Sequence, residues 1–347
     1  MNRLFYILLR GYIRMGIFLY FQKTRFVNIN DMPWGKPMLL LPNHQNALLD
    51  ALLIAAFAPK SPYFLTRADV FGNPLLNRLF HLLQMLPVYR IRDGRDTLSR
   101  NIDLFDKCGK LLAEGEAIVM FPEANHNLQR RVRPLSKGFT RIVFHTLETY
   151  PGTVLYLAPV GVNYRCAYGF PDSVAFYFGK AIDSSPYADM KETRNGTLAL
   201  KEMVQDHLKG LTTHIPEGQG YDAVVEKLDS LGVDYLKPEE VNATLAADMP
   251  GVARKQKTIL GRVALKLWDL VFLALNFFPV LPWKLALKPK VPEPEFISTY
   301  RFLYALFFYP VCYLLFYLLF RQSAGQEIAL GLLAGHLFHN LLYVKLR

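Results

Sequence analysis

Near the C-terminus two uncharged, mostly apolar runs, 302–320 and 328–344, are nineteen and seventeen residues long, with only residues 321–327 between them. Each approaches the ~20 residues that an α-helix needs to cross the hydrocarbon of a bilayer. So short a connection brings the second run back beside the first, so the pair predicts a transmembrane helical hairpin. Lys284, Lys288, Lys290 and Arg301 precede it and Lys345 and Arg347 follow it, which puts both of its ends on the cytoplasmic side. A third apolar stretch, 267–283, contains Asp269 and Asn276 and is broken by Pro279 and Pro282. With cytoplasmic segments on both sides it cannot cross once, and it reads as re-entrant, interfacial or packed on the rest of the chain. His336, His339 and Asn340 share one face of the last span and read as hydrogen-bonding groups for a neighbouring helix.

The composition agrees with contact to lipid. Of 347 residues, 52% are hydrophobic and 14% aromatic, and the formal charge is +11. Such a charge calls for an anionic partner, and with this much apolar surface the phospholipid face of a membrane fits better than nucleic acid, for which no binding module is present. Cys108, Cys166 and Cys312 lie far apart with no metal-ligand spacing, as structural thiols of a reducing compartment do.

At the other end, residues 1–21 are mostly Leu, Ile, Phe and Tyr, with Arg3, Arg10 and Arg14 at steps of seven and four. Those steps put the arginines on one helical face, so residues 1–25 read as an amphipathic anchor helix at the membrane surface. The arginines interrupt the apolar run and no small-residue cleavage site follows, which argues against a cleaved signal peptide.

Residues 26–220 alternate short apolar runs with amphipathic stretches, the pattern of an α/β domain: a mixed sheet flanked by helices. Strands are expected at 38–41, 63–66, 86–89, 117–121, 155–162 and 174–178, and helices at 48–56, 74–83, 96–114, 134–149 and 198–211. Residues 221–257 are more polar and read as small surface helices or a linker. Residues 258–347 form the membrane-associated part.

Within the α/β domain three strand ends carry polar residues. The run Leu39-Leu40-Leu41-Pro42-Asn43-His44 is followed, six residues beyond the histidine, by Asp50. Histidine titrates near neutrality, and a carboxylate beside it can orient the ring and raise its basicity. Residues six apart do not share a helical face, so contact requires His44 in the turn ahead of a helix that carries Asp50 in its first turns. Phe121-Pro122-Glu123 ends a second strand and Arg90 a third. After the glutamate come Arg130, Arg131 and Arg133, then Pro134 opening a helix with Lys137, Gly138 and Arg141, a combination suited to phosphate. His44, Asp50, Glu123 and His126 are also possible metal ligands, but no HExxH or paired-histidine spacing supports a metal-dependent hydrolase.

Asn43-His44 with Asp50, the strand-end Arg90, Phe121-Pro122-Glu123 and Ala158-Pro159-Val160 occur in the order and rough spacing of the four motifs of the glycerolipid acyltransferases, and the chain resembles that superfamily over residues 38–164. Two departures stand out: five residues rather than the usual four separate His44 from Asp50, and Ala124 replaces the glycine of Phe-Pro-Glu-Gly. The longer spacing, His126, the stretch 133–138 and Pro294-Glu295-Phe296 before the hairpin resemble a subgroup with fungal glycerol-3-phosphate acyltransferases and related bacterial proteins.

The resemblance implies that His44, oriented by Asp50, takes the proton from an acceptor hydroxyl as it attacks the thioester of acyl-CoA or acyl-carrier protein. It implies that Glu123 binds the glycerol-type backbone, that Arg90, Lys137 and Arg133 grip the phosphate, and that Asn43, Pro122 and Gly138 line the site. No cofactor or metal is expected beyond the acyl donor as co-substrate. The expected acceptor is a phosphorylated lipid, 1-acyl-glycerol-3-phosphate first and glycerol-3-phosphate or another lyso- or amino-lipid second, at the cytoplasmic face of the inner membrane. A non-catalytic lipid-binding module would fit the anchor and the charge but leave the four motifs without a purpose.

Overall fold

The computed structural model describes residues 3–71, 77, 80, 83–89, 100–190, 192–218, 220–247 and 259–347. The expected helix at 74–83 and the strand-end Arg90 fall largely or wholly outside them.

Eight strands among the described residues make one mixed sheet: β1 Phe21–Val27, β2 Met38–Pro42, β3 Tyr63–Arg67, β4 Met85–Val88, β5 Ala117–Val119, β6 Tyr156–Tyr164, β7 Asp172–Phe178 and β8 Ile182–Asp183. Their order is β1-β7-β6-β2-β5-β3-β4, with β8 on β6. Pairing is parallel except for β6 with β7 and with β8. The central strand β2 is buried throughout, as expected where helices cover both faces of a parallel sheet. Alternation then divides its side chains: Met38 and Leu40 enter one core, Leu39 and Leu41 the other.

The first core is closed by α1 (Arg3–Tyr20) and α2 (Ala47–Phe57), through Ile17 and Tyr20 on one and Leu49, Leu53 and Ile54 on the other. The second is closed by α3 (Arg100–Ala113), α4 (Gly138–Thr149) and α5 (Arg194–Leu211). On β6, Gly161 lies against the end of α5, where a Cβ would come 2.0 Å from the Leu211 carbonyl oxygen. Next come two short helices, α6 (Tyr221–Leu231) and α7 (Pro238–Ala246), with their own small core of Leu228, Tyr235 and Val241.

Four more helices follow: α8 (Ile259–Leu275), α9 (Phe277–Pro282), α10 (Ile297–Ala324) and α11 (Gln326–Leu346). The last two are long and apolar enough to cross a membrane and form the expected hairpin. The apolar stretch before them bends by 90° between α8 and the segment that begins with α9. At the bend Asn276 pairs amide to amide with Asn340 of α11, at 2.8 and 3.0 Å, and His336 lies 3.1 Å from the Tyr313 hydroxyl and 3.2 Å from the Leu275 carbonyl.

The N-terminal helix differs from expectation in two respects. It stops at Tyr20, and residues 21–25 belong to β1, which the apolar-rich sequence had merged with the helix. Arg10 and Arg14 also do not face outward: their guanidinium groups donate to the carbonyls of Ala56 and Ala58 at the C-terminal end of α2. Carbonyls at a helix end lack intrahelical donors and carry partial negative charge, which draws the cations inward. The outward face of α1 is apolar, with Leu4, Ile7, Leu8 and Phe18 exposed.

Candidate active site

The turn after β2 is built around a buried carboxylate. Asp50 lies in the first turn of α2 and is fully buried. Its Oδ2 accepts from the backbone amides of Gln45 and Asn46 at 2.9 and 2.8 Å and from His44 Nδ1 at 2.8 Å. Its Oδ1 accepts from the Tyr164 hydroxyl at 2.6 Å. Four donors offset the desolvation of a carboxylate that would otherwise be costly to bury. Burial and the Asp50 charge push the Tyr164 phenol well above its ordinary pKa, so it remains a neutral donor. His44 is in the turn and Asp50 in the helix, as contact requires. The residue beyond the usual spacing is accommodated in a turn that enters α2 through Ala47 at φ +33°.

Since an ionised carboxylate only accepts, the proton of a neutral His44 sits on Nδ1 and the lone pair on Nε2. Among the described residues Nε2 has no protein partner. The ring stacks on Phe121, with centroids 3.9 Å apart, and meets His126 edge-on at 5.7 Å. Its side chain is 15% exposed, leaving one edge open to a substrate.

The facing loop follows β5. Glu123 is buried, and Arg133 encloses it: Nε and Nη2 donate to Oε2 at 3.0 and 2.8 Å, and the Arg133 amide to Oε1 at 3.3 Å. Burial nevertheless pushes the Glu123 carboxyl above its ordinary pKa, against the pull of Arg133 and of the nearby His44. Ala124, where the family pattern has glycine, adopts φ +60°, the left-handed conformation that favours glycine. The loop is tied to its surroundings by Asn127 N donating to the His44 carbonyl (3.1 Å) and Ser136 N to the Pro122 carbonyl (2.7 Å). At the start of α4, Lys137 is exposed and has no partner among the described residues, and the Ser136 hydroxyl is buried without one. Gly138 lies so close to Met120 that a Cβ would come 2.6 Å from its methyl carbon.

The comparisons with known proteins now bear on this geometry. Residues 23–163 match the family model described as Acyltransferase. Over these residues the chain is similar to the acyltransferases. This segment starts in β1 and ends in β6, and it contains His44, Asp50, Glu123, Arg133 and Lys137. The chain is 22% identical over 214 residues to a lyso-ornithine lipid O-acyltransferase of Rhizobium meliloti (strain 1021), covering 53% of this chain and 70% of that one. It is 24% identical over 127 residues to a chloroplastic 1-acyl-sn-glycerol-3-phosphate acyltransferase of Brassica napus, covering 36% of this chain and 35% of that one. The crystal structure of the 1-acyl-sn-glycerophosphate (LPA) acyltransferase PlsC from Thermotoga maritima aligns with a TM-score of 0.41 and 15% identity, over 59% of this chain and 77% of that one.

Several expected site residues are placed differently from what the sequence suggested. The Asn43 side chain is spent on β6, donating to the Val162 carbonyl at 3.1 Å and accepting from the Val162 amide at 2.6 Å, so it fixes the turn rather than facing substrate. Arg133 is committed to Glu123 and is not left free for a phosphate. Arg130 and Arg131 turn away from the crevice: Arg130 donates to the carbonyls of Tyr164 and Arg165 and lies 3.4 Å over the Tyr235 ring, and Arg131 donates to the Ile215 carbonyl. His44, Asp50, Glu123 and His126 do not converge as a ligand set, because the first two pair with each other, Glu123 pairs with Arg133, and His126 Nε2 lies 2.8 Å from Glu293. Pro122 is buried in the loop.

Tyr164, Tyr235, Glu293, Phe296 and Thr299, remote in sequence, all bear on the site or its loops; Phe296 packs on His126 with centroids 4.7 Å apart. Of these only Phe296, within the Pro294-Glu295-Phe296 stretch, and Tyr164, as the polar end of a long apolar strand, carry a signal in the sequence.

Proposed function

We propose that the protein transfers a fatty acyl group from acyl-CoA or acyl-carrier protein to the hydroxyl of a lysolipid with an anionic headgroup, 1-acyl-glycerol-3-phosphate being the first candidate. The observation that carries this is the His44–Asp50 contact at 2.8 Å, with Nε2 unpartnered among the described residues and Glu123 near enough to feel the His44 charge. The acceptor O–H gives its proton to His44 Nε2 as the oxygen bonds to the thioester carbonyl carbon. The C–S bond then breaks, and the departing sulfur takes the proton back. Asp50 holds the ring and balances the imidazolium charge. No acyl-enzyme is needed.

Glu123, held by Arg133, binds the acceptor's backbone hydroxyl region. The amides at the start of α4, the Ser136 hydroxyl and Lys137 receive the anionic group, since a helix N-terminus with an unpaired lysine suits phosphate or carboxylate. Both headgroup chemistries have a counterpart among the relatives, one named for lyso-ornithine lipid and one for 1-acyl-sn-glycerol-3-phosphate. The apolar face of α1 and the α10–α11 hairpin would hold the domain at the cytoplasmic face of the inner membrane.

The test is purified protein with one labelled acyl-CoA against lysophosphatidate, glycerol-3-phosphate and lyso-ornithine lipid, with products identified by mass spectrometry. Transfer to at least one of them that is abolished in His44→Ala is expected. Near-normal transfer by His44→Ala at unchanged membrane association would overturn the mechanism.

A further inference from the structure

Outside the crevice, a cavity of about 1190 Å³ is bounded by α1, α8, α9, α10 and α11. That exceeds the ~300–1,000 Å³ of ordinary small-molecule pockets. None of His44, Asp50, Glu123, Arg133 or Lys137 lines it.

The cavity has a charged end and an apolar end. Along α10 its lining runs from Arg301 to Tyr313, about 18 Å at the α-helical rise. Along the antiparallel α11 it runs from Val344 at the Arg301 end to Leu330 at the other. Lys266, Lys284 and Lys288 also line it, and each belongs at the Arg301 end. Lys266 is one turn from Asp269, which bonds Tyr343 near the end of α11. Lys284 and Lys288 follow Trp283, whose ring lies against Tyr304, one turn from Arg301.

These cations lack anions. Among the described residues the three lysines have no carboxylate partner, and Asp269 is already held by Arg347 at 2.6 and 2.9 Å. Arg301 is fixed by donating to the Tyr20 hydroxyl (2.8 Å), the Ser298 hydroxyl (2.9 Å) and the Tyr168 carbonyl (3.2 Å), which leaves its charge unneutralised. Beyond them the lining is apolar and aromatic except for Asn340, whose amide is already paired with Asn276, and it extends over a little more than half of the ~30 Å hydrocarbon thickness of a bilayer, the depth of one leaflet's chains.

We propose that this cavity holds the chains of an anionic glycerophospholipid drawn from the cytoplasmic leaflet, with its phosphate among Lys266, Lys284, Lys288 and Arg301, as a lipid site separate from the catalytic crevice. Basic pockets between membrane helices select anionic headgroups on this principle. The inference rests on the membrane placement proposed above, but not on the acyl transfer reaction.

Trp283 lines the cavity and provides a probe. With Trp34→Phe and Trp268→Phe it becomes the only tryptophan of the three in the chain. The full-length protein is placed in phosphatidylcholine nanodiscs carrying a minor fraction of chain-brominated phosphatidylglycerol or, separately, chain-brominated phosphatidylcholine. Trp283 fluorescence should be quenched at much lower fractions of the anionic lipid. In Lys284→Gln/Lys288→Gln the half-quenching fraction should rise about 30-fold, as for two basic side chains at a lipid surface. Lys290→Gln removes a charge from the same segment outside the cavity and should leave it unchanged. Equal quenching by both lipids, or an equal loss in Lys290→Gln, would overturn the proposal. Unchanged quenching in His44→Ala, together with absent acyl transfer by the parent chain, would refute the catalytic reading and leave the lipid site standing.

Discussion

The two loops that face each other across the crevice are held in different ways. The turn from Asn43 to Asp50 is centred on one carboxylate: Asp50 gathers two amides and the imidazole of the turn and the Tyr164 phenol of β6, the strand to which Asn43 is also tied. The loop from Phe121 to Lys137 depends on distant parts of the chain. Its Arg130 and Arg131 are held by Tyr221 and Tyr235 of the α6–α7 unit, and its His126 by Glu293 and Phe296 ahead of the hairpin. The proposed base is oriented by a carboxylate six residues away, whereas the facing loop is braced by segments outside residues 23–163.

The largest effect should come from the turn that carries His44. His44→Ala should lower kcat/KM by about 10²–10⁴-fold, the usual share of general base catalysis, with little change in thermal stability. A fall in kcat from Lys137→Ala as large as its rise in the acceptor's KM would erase the contrast, since that substitution should act mainly on KM.

Arg133→Ala tests the assembled loop. It leaves Glu123 buried without its cation and should cost about 3 kcal/mol in chemical denaturation, at the low end for a broken buried pair because the arginine is partly exposed. Glu123→Gln with Arg133→Ala should recover part of that loss.

Asp172 supplies a control for Asp50. It is equally buried, but its Oδ2 has no partner and burial pushes it up to about 7. Between its ordinary value near 3.8 and about 7 the folded chain binds this proton more tightly than the unfolded one, so stability should fall as pH rises through that window. Asp172→Asn should flatten the fall and add more than about 1.4 kcal/mol at pH 8, the worth of one unit, read as the midpoint of denaturant unfolding against pH. An unchanged pH profile would mean that the two carboxylates are not the contrast described.

The smallest effect belongs to Ala124. At φ +60° glycine is the better residue, and Ala124→Gly should stabilise the domain by about 1 kcal/mol, measured by the same denaturation.

What could be read from the sequence follows the same division. β2, β3 and β6 announce themselves as buried apolar runs, and the dyad could be placed because the geometry of a helix forbids His44 and Asp50 from sharing one. Strand β1 was hidden because its residues continue the apolar character of α1. The inward turn of Arg10 and Arg14 was hidden as well, because their partners are carbonyl groups, which every residue has. Arg130, Arg131 and Arg133 look alike in sequence; Tyr235 and Glu123, over a hundred positions apart, decide that the first braces the fold and the last serves the site. Pairings of that range leave no local periodicity to detect.

The Thr299 hydroxyl accepts from the Leu49 amide at 3.1 Å, across 250 residues, and Ser298 beside it donates to the Ala167 carbonyl at 2.7 Å. At the ~5–20 residues per second of protein synthesis, the brace on this turn is made roughly 12–50 s after the turn itself. The α/β domain can begin to fold early, but the His44–Asp50 turn gains this support only once the start of α10 has been made, so its final rigidity waits on nearly the whole chain.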